Sequence, residues 1–272
     1  MKTVTVVDTS CVVYQIYRAL DDAKMLEDPE IISRYTNHVL KVLLSGFNTP
    51  ASCFLFAIDI KIDGGYWRTS ELKGLGINYK GGRVKKHETW FTIFDSMIER
   101  LNILGIPVLG FPGYEADDVA ALIVAVCRDL SLPVSLYTVD TDWLGLVSET
   151  NSVSWFNMGP WQPRLRDTLE SVNEWIVRRL NVPPVLDASE IWDIKVVQGD
   201  RSDNLPAGTP LGFISLEKPL EGHRLADFAN VVSLAERCIE TTLAHDYERY
   251  LEDISVSIAV THRYGPSPLP RG

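Results

Sequence analysis

The sequence predicts an α/β fold with a mostly parallel central sheet flanked by helices, and three observations carry that reading. Three apolar runs, "VTVVD", "FLFAID" and "VSLYTVD", each stop at an aspartate, at Asp8, Asp59 and Asp140. Continuous runs of this kind suit strands buried on both faces, as in a parallel sheet covered by helices. Helical patterns over 30–48, 88–104 and 116–130 lie between those runs, and such alternation marks the α/β class. After about residue 165 the texture turns mainly helical, in "TLESVNEWIVRRL", "SEIWDIKVVQ" and "DFANVVSLAERCIETTLAHDYERYL". The domain reading is therefore a core over 1–165 and a mainly helical region over 166–272.

In chain order, the first and second runs put Asp8 and Asp59 at strand ends. The stretch 61–86 then gathers Lys61, Arg68, Lys73, Lys80, Arg83, Lys85 and Lys86 against Asp63 and Glu71 only. A solvated basic loop is the plainer explanation of such a segment. Gly74, Gly76, Gly81 and Gly82 interrupt its helical pattern, each weakening a helix by about 1 kcal/mol relative to alanine.

Next, "YEADDVAALIVAV" places Glu115, Asp117 and Asp118 at the start of a buried helix. Capping and the helix dipole account for one or two acids there; three repel one another. Asp140 and Asp142 form "DTD", which in an extended chain would point both carboxylates to one side. The loop "GDRSDNLPAGTPLG" adds Asp200 and Asp203, where turn chemistry alone would suffice. The tail "YGPSPLPRG" reads as a loose terminus.

Composition bounds the function. With 46% hydrophobic residues in 272, a sizeable core is affordable. No stretch reaches the roughly 18 to 20 apolar residues of a membrane span, and the N-terminus has no signal-peptide pattern. A cytoplasmic protein is expected, with no membrane partner. Cys11, Cys53, Cys127 and Cys238 lack metal-ligand spacing and read as buried free thiols. A net charge of −10 opposes general affinity for nucleic acid, leaving the local basic segment as the exception.

In open α/β sheets ligands bind beyond the carboxyl ends of the strands, where Asp8, Asp59 and Asp140 converge. Together with Glu115, Asp117, Asp118, Asp142, Asp200 and Asp203 they form an all-oxygen donor set, which selects Mg²⁺ or Mn²⁺. So many acids on one edge call for cations. A pair of ions about 4 Å apart is the arrangement that stabilises the attacking and leaving oxygens of a phosphoryl displacement, so the set points to phosphodiester hydrolysis.

The motifs "GYEADD", "TVDTD" and "KVVQGDRSDNLP", in that order and spacing, resemble the 5′→3′ exonuclease and flap-endonuclease family, in particular its stand-alone bacteriophage members. "WRTSELKGLGINYKGGR" is similar to the family's stretch carrying an Arg and a Tyr-Lys-x-x-Arg motif, matched by Arg68, Tyr79, Lys80 and Arg83. The resemblance covers roughly 3–215. It implies a PIN-like, resolvase-like nuclease core with a helical arch over about 66–104, and a mainly helical DNA-binding region with a variant helix–hairpin–helix-like loop over about 199–215. It implies two Mg²⁺ or Mn²⁺ ions, with Asp8, Asp59, Glu115 and Asp117 on one side, Asp140, Asp142 and Asp203 on the other, and Asp118 and Asp200 acting through water. Lys80, Arg83, Asp117 and Asp140 would be catalytic. Arg68, Lys73, Tyr79, Lys80, Arg83, Lys85, Lys86 and Lys195 would contact DNA. The implied partner is DNA with a free 5′ end or 5′ flap, in replication, repair or recombination, with an RNA–DNA hybrid as an open addition. A monomer is expected, in the cytoplasm of a bacterial host if the gene is a phage's.

Two departures stand out. After Tyr14 the family's Arg is replaced by Gln15, with Arg18 one turn on as a stand-in. The loop after "SDN" keeps Gly208 and Gly212 but lacks the following Lys, which predicts a weaker duplex grip and leaves a potassium ion as an open addition. Rival readings fit less of the chain. A haloacid-dehalogenase-type phosphatase needs an acid where Ser10 stands, and a toprim-like nuclease uses the "DTD" but leaves "EADD" unexplained. A non-catalytic structure-specific DNA-binding relative is the alternative outside enzymology; loss of ligands would mark it, and none is missing.

Overall fold

The computed structural model describes residues 3–46, 52–157, 164–216 and 235–240. The chain opens with β1 (Thr3–Asp8) and passes directly into α1 (Thr9–Asp22). Asp8 is both the last strand residue and the helix cap, accepting the Cys11 N–H at 3.1 Å. Helix α2 (Pro29–Gly46) starts on a proline, whose fixed φ suits a first turn. Asp28 accepts the N–H groups of Glu30 and Ile31 there.

Strand β2 (Ser52–Ala57) pairs in parallel with β1, setting Asp8 beside Ala57. Helices α3 (Trp67–Gly74) and α4 (Glu88–Ile103) follow, then β3 (Val108–Leu109) and α5 (Ala116–Asp129). Strand β4 (Val134–Thr138) pairs in parallel with the other side of β1. A 3₁₀ turn (Asp142–Leu146) leads to β5 (Val153–Asn157), parallel to β4, and to β6 (Arg164–Arg166), which is antiparallel to β5. Helices α6 (Leu169–Leu180) and α7 (Glu190–Gln198) and a 3₁₀ turn (Leu211–Phe213) complete the elements. The sheet order is β3-β2-β1-β4-β5-β6, with β1 in the middle.

Alternate residues of β1 serve opposite layers. Val4 and Val6 join α5, Trp143, Trp155 and the α6–α7 residues Val172, Ile176 and Ile191 on one face. Val7 joins Val12, Ile16, Leu40, Leu44, Ile93 and Met97 of α1, α2 and α4 on the other. Burial on both faces is why these strands read as unbroken apolar runs. The sheet class, three strand-end aspartates and helical patterns match their expectations.

The helical pattern over 66–104 is interrupted where its glycines fall: α3 ends at Gly74, no helix runs through 75–87, and the chain resumes as α4. Gly76 and Lys80 take left-handed backbone angles in the gap, φ +75° and +56°, incompatible with helix continuation. One expectation is corrected: the "DTD" segment is not extended. It bends into the 3₁₀ turn at Asp142, and the Asp142 N–H donates to Asp140 Oδ1 at 2.9 Å. Most of the helix expected in "DFANVVSLAERCIETTLAHDYERYL", and the tail after it, lie outside the described residues; 235–240 are helical.

Candidate active site

The site begins at the carboxyl ends of three adjacent strands. Asp8, at the end of β1, receives Cys11 Sγ–H and the Thr138 hydroxyl, each at 2.8 Å from Oδ2. Asp59, just beyond β2, accepts the Ala116 N–H at 2.8 Å and the Ser10 hydroxyl at 3.3 Å. It thereby ties the strand end to the first turn of α5. Asp140, beyond β4, has its carbonyl held by the Trp155 indole N–H at 3.1 Å.

The start of α5 brings the next acids. Glu115 is buried at the cap position, where it accepts Arg68 Nη1 at 3.0 Å, the Tyr79 hydroxyl at 2.9 Å, and the Lys80 ammonium. Asp117 Oδ1 accepts the Trp143 indole N–H at 2.7 Å. The loop after α7 adds Asp203, held by Tyr79 at 3.1 Å and by Arg83. Lys195 reaches across to Asp142 and to Asp200, the latter at 2.7 Å. A narrow cleft between these groups is lined by Asp117, Asp142, Asp200 and Asp203, with Arg68 and Tyr79 on its wall.

The acids fall into two classes. Glu115, Asp118, Asp142, Asp200 and Asp203 are neutralised by Arg68, Lys80, Arg83 or Lys195. Among the described residues no lysine or arginine pairs with Asp8, Asp59, Asp117 or Asp140.

Among the groups that shift, protonation follows that division except at Asp142. Burial, then the neighbouring Asp140 charge, pushes Asp117 well above the carboxylate range. Burial and Asp142 push Asp140 up in the same way, and burial with the Asp8 charge raises Asp59. Glu115 and Asp200 go the other way: burial opposes ionisation, but Lys80 and Arg68 at Glu115, and Lys195 at Asp200, outweigh it. Asp142 is raised because burial exceeds the pull of Lys195.

An oxygen-only set of this kind fits Mg²⁺ or Mn²⁺ by chemistry. Among the described residues no three His, Cys, Asp or Glu side chains stand ready around one point. Mg²⁺ needs no such cage, since it binds through one or two carboxylates and keeps several waters. The unpaired, mutually repelling Asp117 and Asp140 meet that requirement.

Other expected residues sit differently. Asp118 is tied to protein groups: its Oδ2 accepts Arg68 Nη1 at 2.9 Å, the Trp67 indole N–H at 3.0 Å and the Glu115 N–H at 3.1 Å, and its Oδ1 forms an ion pair with Arg68 Nη2 at 2.7 Å. It positions Arg68. Arg68 is 3% exposed and also donates to the Phe213 carbonyl at 3.0 Å, so it braces α3 against the C-terminal loop. Tyr79 is likewise buried, and Lys195 is spent on acids. Lys73, Arg83, Lys85 and Lys86 are exposed, Lys86 resting over the Trp90 ring at 3.4 Å. Arg18 pairs with Asp22 at 3.8 Å.

Sequence reasoning missed the indoles of Trp143, Trp155 and Trp192, each of which holds an acidic residue of the site by side chain or carbonyl. It also missed Thr138 and Cys11 at Asp8. A tryptophan directly after an acid motif, as in "DTDW", is the one available signal.

The model of the 5′-3′ exonuclease N-terminal resolvase-like domain matches residues 3–176. The chain belongs to the 5′-3′ exonuclease family. Within that family it is 27% identical over 185 residues to a 5′-3′ exonuclease of Mycoplasmopsis pulmonis, covering 64% of this chain and 56% of that one. It is 30% identical over 185 residues to the thermostable DNA polymerase I of Thermus filiformis, covering 66% of this chain and 20% of the polymerase. The chain thus spans about a fifth of that polymerase relative. Its fold is shared with bacteriophage T5 flap endonuclease, seen in a pseudo-enzyme-product complex with DNA and metal ions, at TM-score 0.54 and 18% identity over 95% of this chain and all of that one. A T5 5′-exonuclease bound to zinc gives TM-score 0.53 over 94% and 99% of the two chains, also at 18% identity. Among the described residues of this exonuclease-family chain, no helix is long and apolar enough to cross a membrane.

Proposed function

We propose that this protein is a structure-specific 5′ nuclease, a 5′→3′ exonuclease and flap endonuclease that hydrolyses DNA phosphodiesters with two Mg²⁺ or Mn²⁺ ions. The observation that carries the reading is the neighbouring Asp117 and Asp140, with which no lysine or arginine among the described residues forms an ion pair, at the carboxyl edge of a family nuclease core. Divalent ions held there, by Asp8, Asp59, Asp117 and Asp140 with Glu115, Asp142, Asp200 and Asp203 around them, supply Lewis-acid stabilisation of the attacking and leaving oxygens.

The chain's own cations do the rest. Lys80 keeps its proton, because Glu115 and Asp203 outweigh the effect of burial and raise its pKa. It therefore acts as a fixed positive charge toward the scissile phosphate and never as a base. Arg83, half exposed and tied to Asp203, binds the phosphate backbone of the incoming strand. Lys73, Lys85 and Lys86 extend this attraction outward on an otherwise acidic protein. Their placement on the 61–86 segment suits one flexible 5′ strand. Arg68, Asp118 and Tyr79 hold α3, α5 and the 199–205 loop in register and touch no substrate.

The test is cleavage of a labelled 5′-flap DNA. Wild-type protein should cut near the junction with Mg²⁺ or Mn²⁺ and be silent in excess EDTA, with D140N inactive under both conditions. Binding of the flap without cleavage, at any divalent-ion concentration, would replace the enzyme by a non-catalytic DNA-binding relative.

A further inference from the structure

We propose that the Lys195 ammonium is a built-in counter-ion that bars a divalent ion from the Asp142–Asp200 side of the site, so that the two ions bind unequally. This rests on reading the acids as a two-metal centre. The first ion binds at Asp117 and Asp140, and a second enters only as Lys195 withdraws.

The position of Lys195 is constructed. It lies in the last turn of α7, and the Gly199 N–H closes that turn on the Lys195 carbonyl at 2.8 Å. Gly199 has φ +76°, and a Cβ there would stand 2.7 Å from the Leu205 carbonyl oxygen and 2.8 Å from the Ala207 nitrogen, so no other residue fits the turn. Asp200 and Leu205 then exchange backbone hydrogen bonds at 2.8 Å in each direction, and Ser202 fixes Asp200 Oδ1 from both its N–H and its hydroxyl. Asp142 is secured from the same helix, its carbonyl accepting the Trp192 indole N–H at 3.1 Å. Helix and turn thus deliver one ammonium between the fixed Asp200 carboxylate and Asp142, whose backbone carbonyl is held, and its side chain is 14% exposed.

An ammonium bridging two carboxylates stands where a divalent ion sharing them would stand. Two such cations cannot occupy one point, and their mutual repulsion in a partly buried site is strong. No lysine or arginine among the described residues does this for Asp117 and Asp140. There Asp117 is met by the neutral Trp143 indole N–H at 2.7 Å and not by a cation, so its charge is left for an entering ion. Lys80 makes a comparable bridge from Glu115 toward Asp203, but it is anchored from a left-handed residue in the 75–87 segment, outside any helix. Lys195 comes from a packed helix end.

The experiment counts ions without DNA. The metal-free full chain is titrated with Mn²⁺, free ion being read by electron paramagnetic resonance, for wild type, K195M, K195Q, K195R and D117N. Wild type should hold one ion tightly and a second more weakly. Both neutral variants should tighten the second ion by about 10-fold or more, the scale on which groups behind a metal's ligands alter affinity, and leave the first unchanged. K195R should keep the weak second ion, and D117N should lose affinity for the first. Circular dichroism checks that each variant is folded, and K195Q and K195M back each other up. Equal affinity of both ions in wild type, or a second ion no tighter in the folded neutral variants, overturns the proposal. Flap cleavage is scored separately: unequal ions without cleavage would remove the nuclease reading alone, and cleavage with equal ions would remove this inference alone.

Discussion

Arg68 grips Asp118 with both terminal nitrogens, Nη1 lying 2.9 Å from Oδ2 and Nη2 2.7 Å from Oδ1, in a site closed to solvent. The Nη1 hydrogen bond is directional and the Nη2 contact adds an ion pair to it, while Nη1 also serves Glu115. Removing either partner strands a buried charge. D118A should therefore destabilise the metal-free protein by about 3–5 kcal/mol, and R68K should recover little, because an ammonium cannot reproduce the fork. Chemical denaturation in EDTA measures both; a loss below about 1 kcal/mol for D118A would place it with solvent-exposed pairs.

The same measurement should give the opposite sign at the adjacent helix position and at Asp140. D117N and D140N each remove a charge from a crowded, unpaired set, so the metal-free melting temperature should hold or rise. Cleavage should nevertheless fall by at least ~10²-fold, the cost of losing a key electrostatic group. A marked drop in metal-free melting temperature would make these side chains structural.

Stability should also depend on pH in a direction set by these groups. Asp59, Asp117, Asp140 and Asp142 have folded-state pKa values raised above their unfolded values. The folded state then binds more protons than the unfolded one. Stability is lost as pH rises from the ordinary carboxylate range through the raised values. Glu115 and Asp200, held low, contribute stability that is lost only as pH falls below the ordinary range. Melting in EDTA should therefore occur at higher temperature near pH 5 to 6 than near pH 8, estimates that follow from linkage, and saturating Mn²⁺ should flatten the difference. A melting temperature that climbs with pH in EDTA contradicts this.

Lys80 and Arg83 should separate kinetically. Lys80 is held beside Glu115, with its ammonium 5.0 Å from the Tyr79 ring centre, whereas the Arg83 side chain is 52% exposed. K80A should slow single-turnover cleavage with little change in flap affinity, and R83A should weaken affinity as well. Near-normal rates in both variants would detach the 77–83 stretch from the reaction.

Much of this arrangement was legible in the chain. The strand-end acids Asp8, Asp59 and Asp140 announced themselves because an apolar run ending in a carboxylate has few other uses in a buried sheet. The surplus at Glu115, Asp117 and Asp118 was visible as charge, but its division was not. Asp118 goes to Arg68, 50 residues away, and Asp117 to neither lysine nor arginine, a distinction that only tertiary pairing makes. Lys195 looked like a basic residue for DNA because the two acids it joins, Asp142 and Asp200, are far apart in sequence. "DTD" misled through its period: alternation implies a strand only where the backbone stays extended, and the Asp142 N–H finds Asp140 instead.

The backbone seam between the 77–83 and 199–205 segments, where the Lys80 N–H meets the Asp203 carbonyl at 2.9 Å and the Asn204 amide meets the Asn78 carbonyl at 2.7 Å, sets an order of events in synthesis. Contacts that bridge such long loops form late. The sheet from β1 to β5 can assemble while Arg83 still lacks Asp203, so a ribosome-bound chain would carry Arg83 unmasked while Lys80 already has Glu115. The late step adds Asp200 and Asp203, and with them the partners of Lys195 and Arg83, when the stretch around Asp200 emerges and closes the seam.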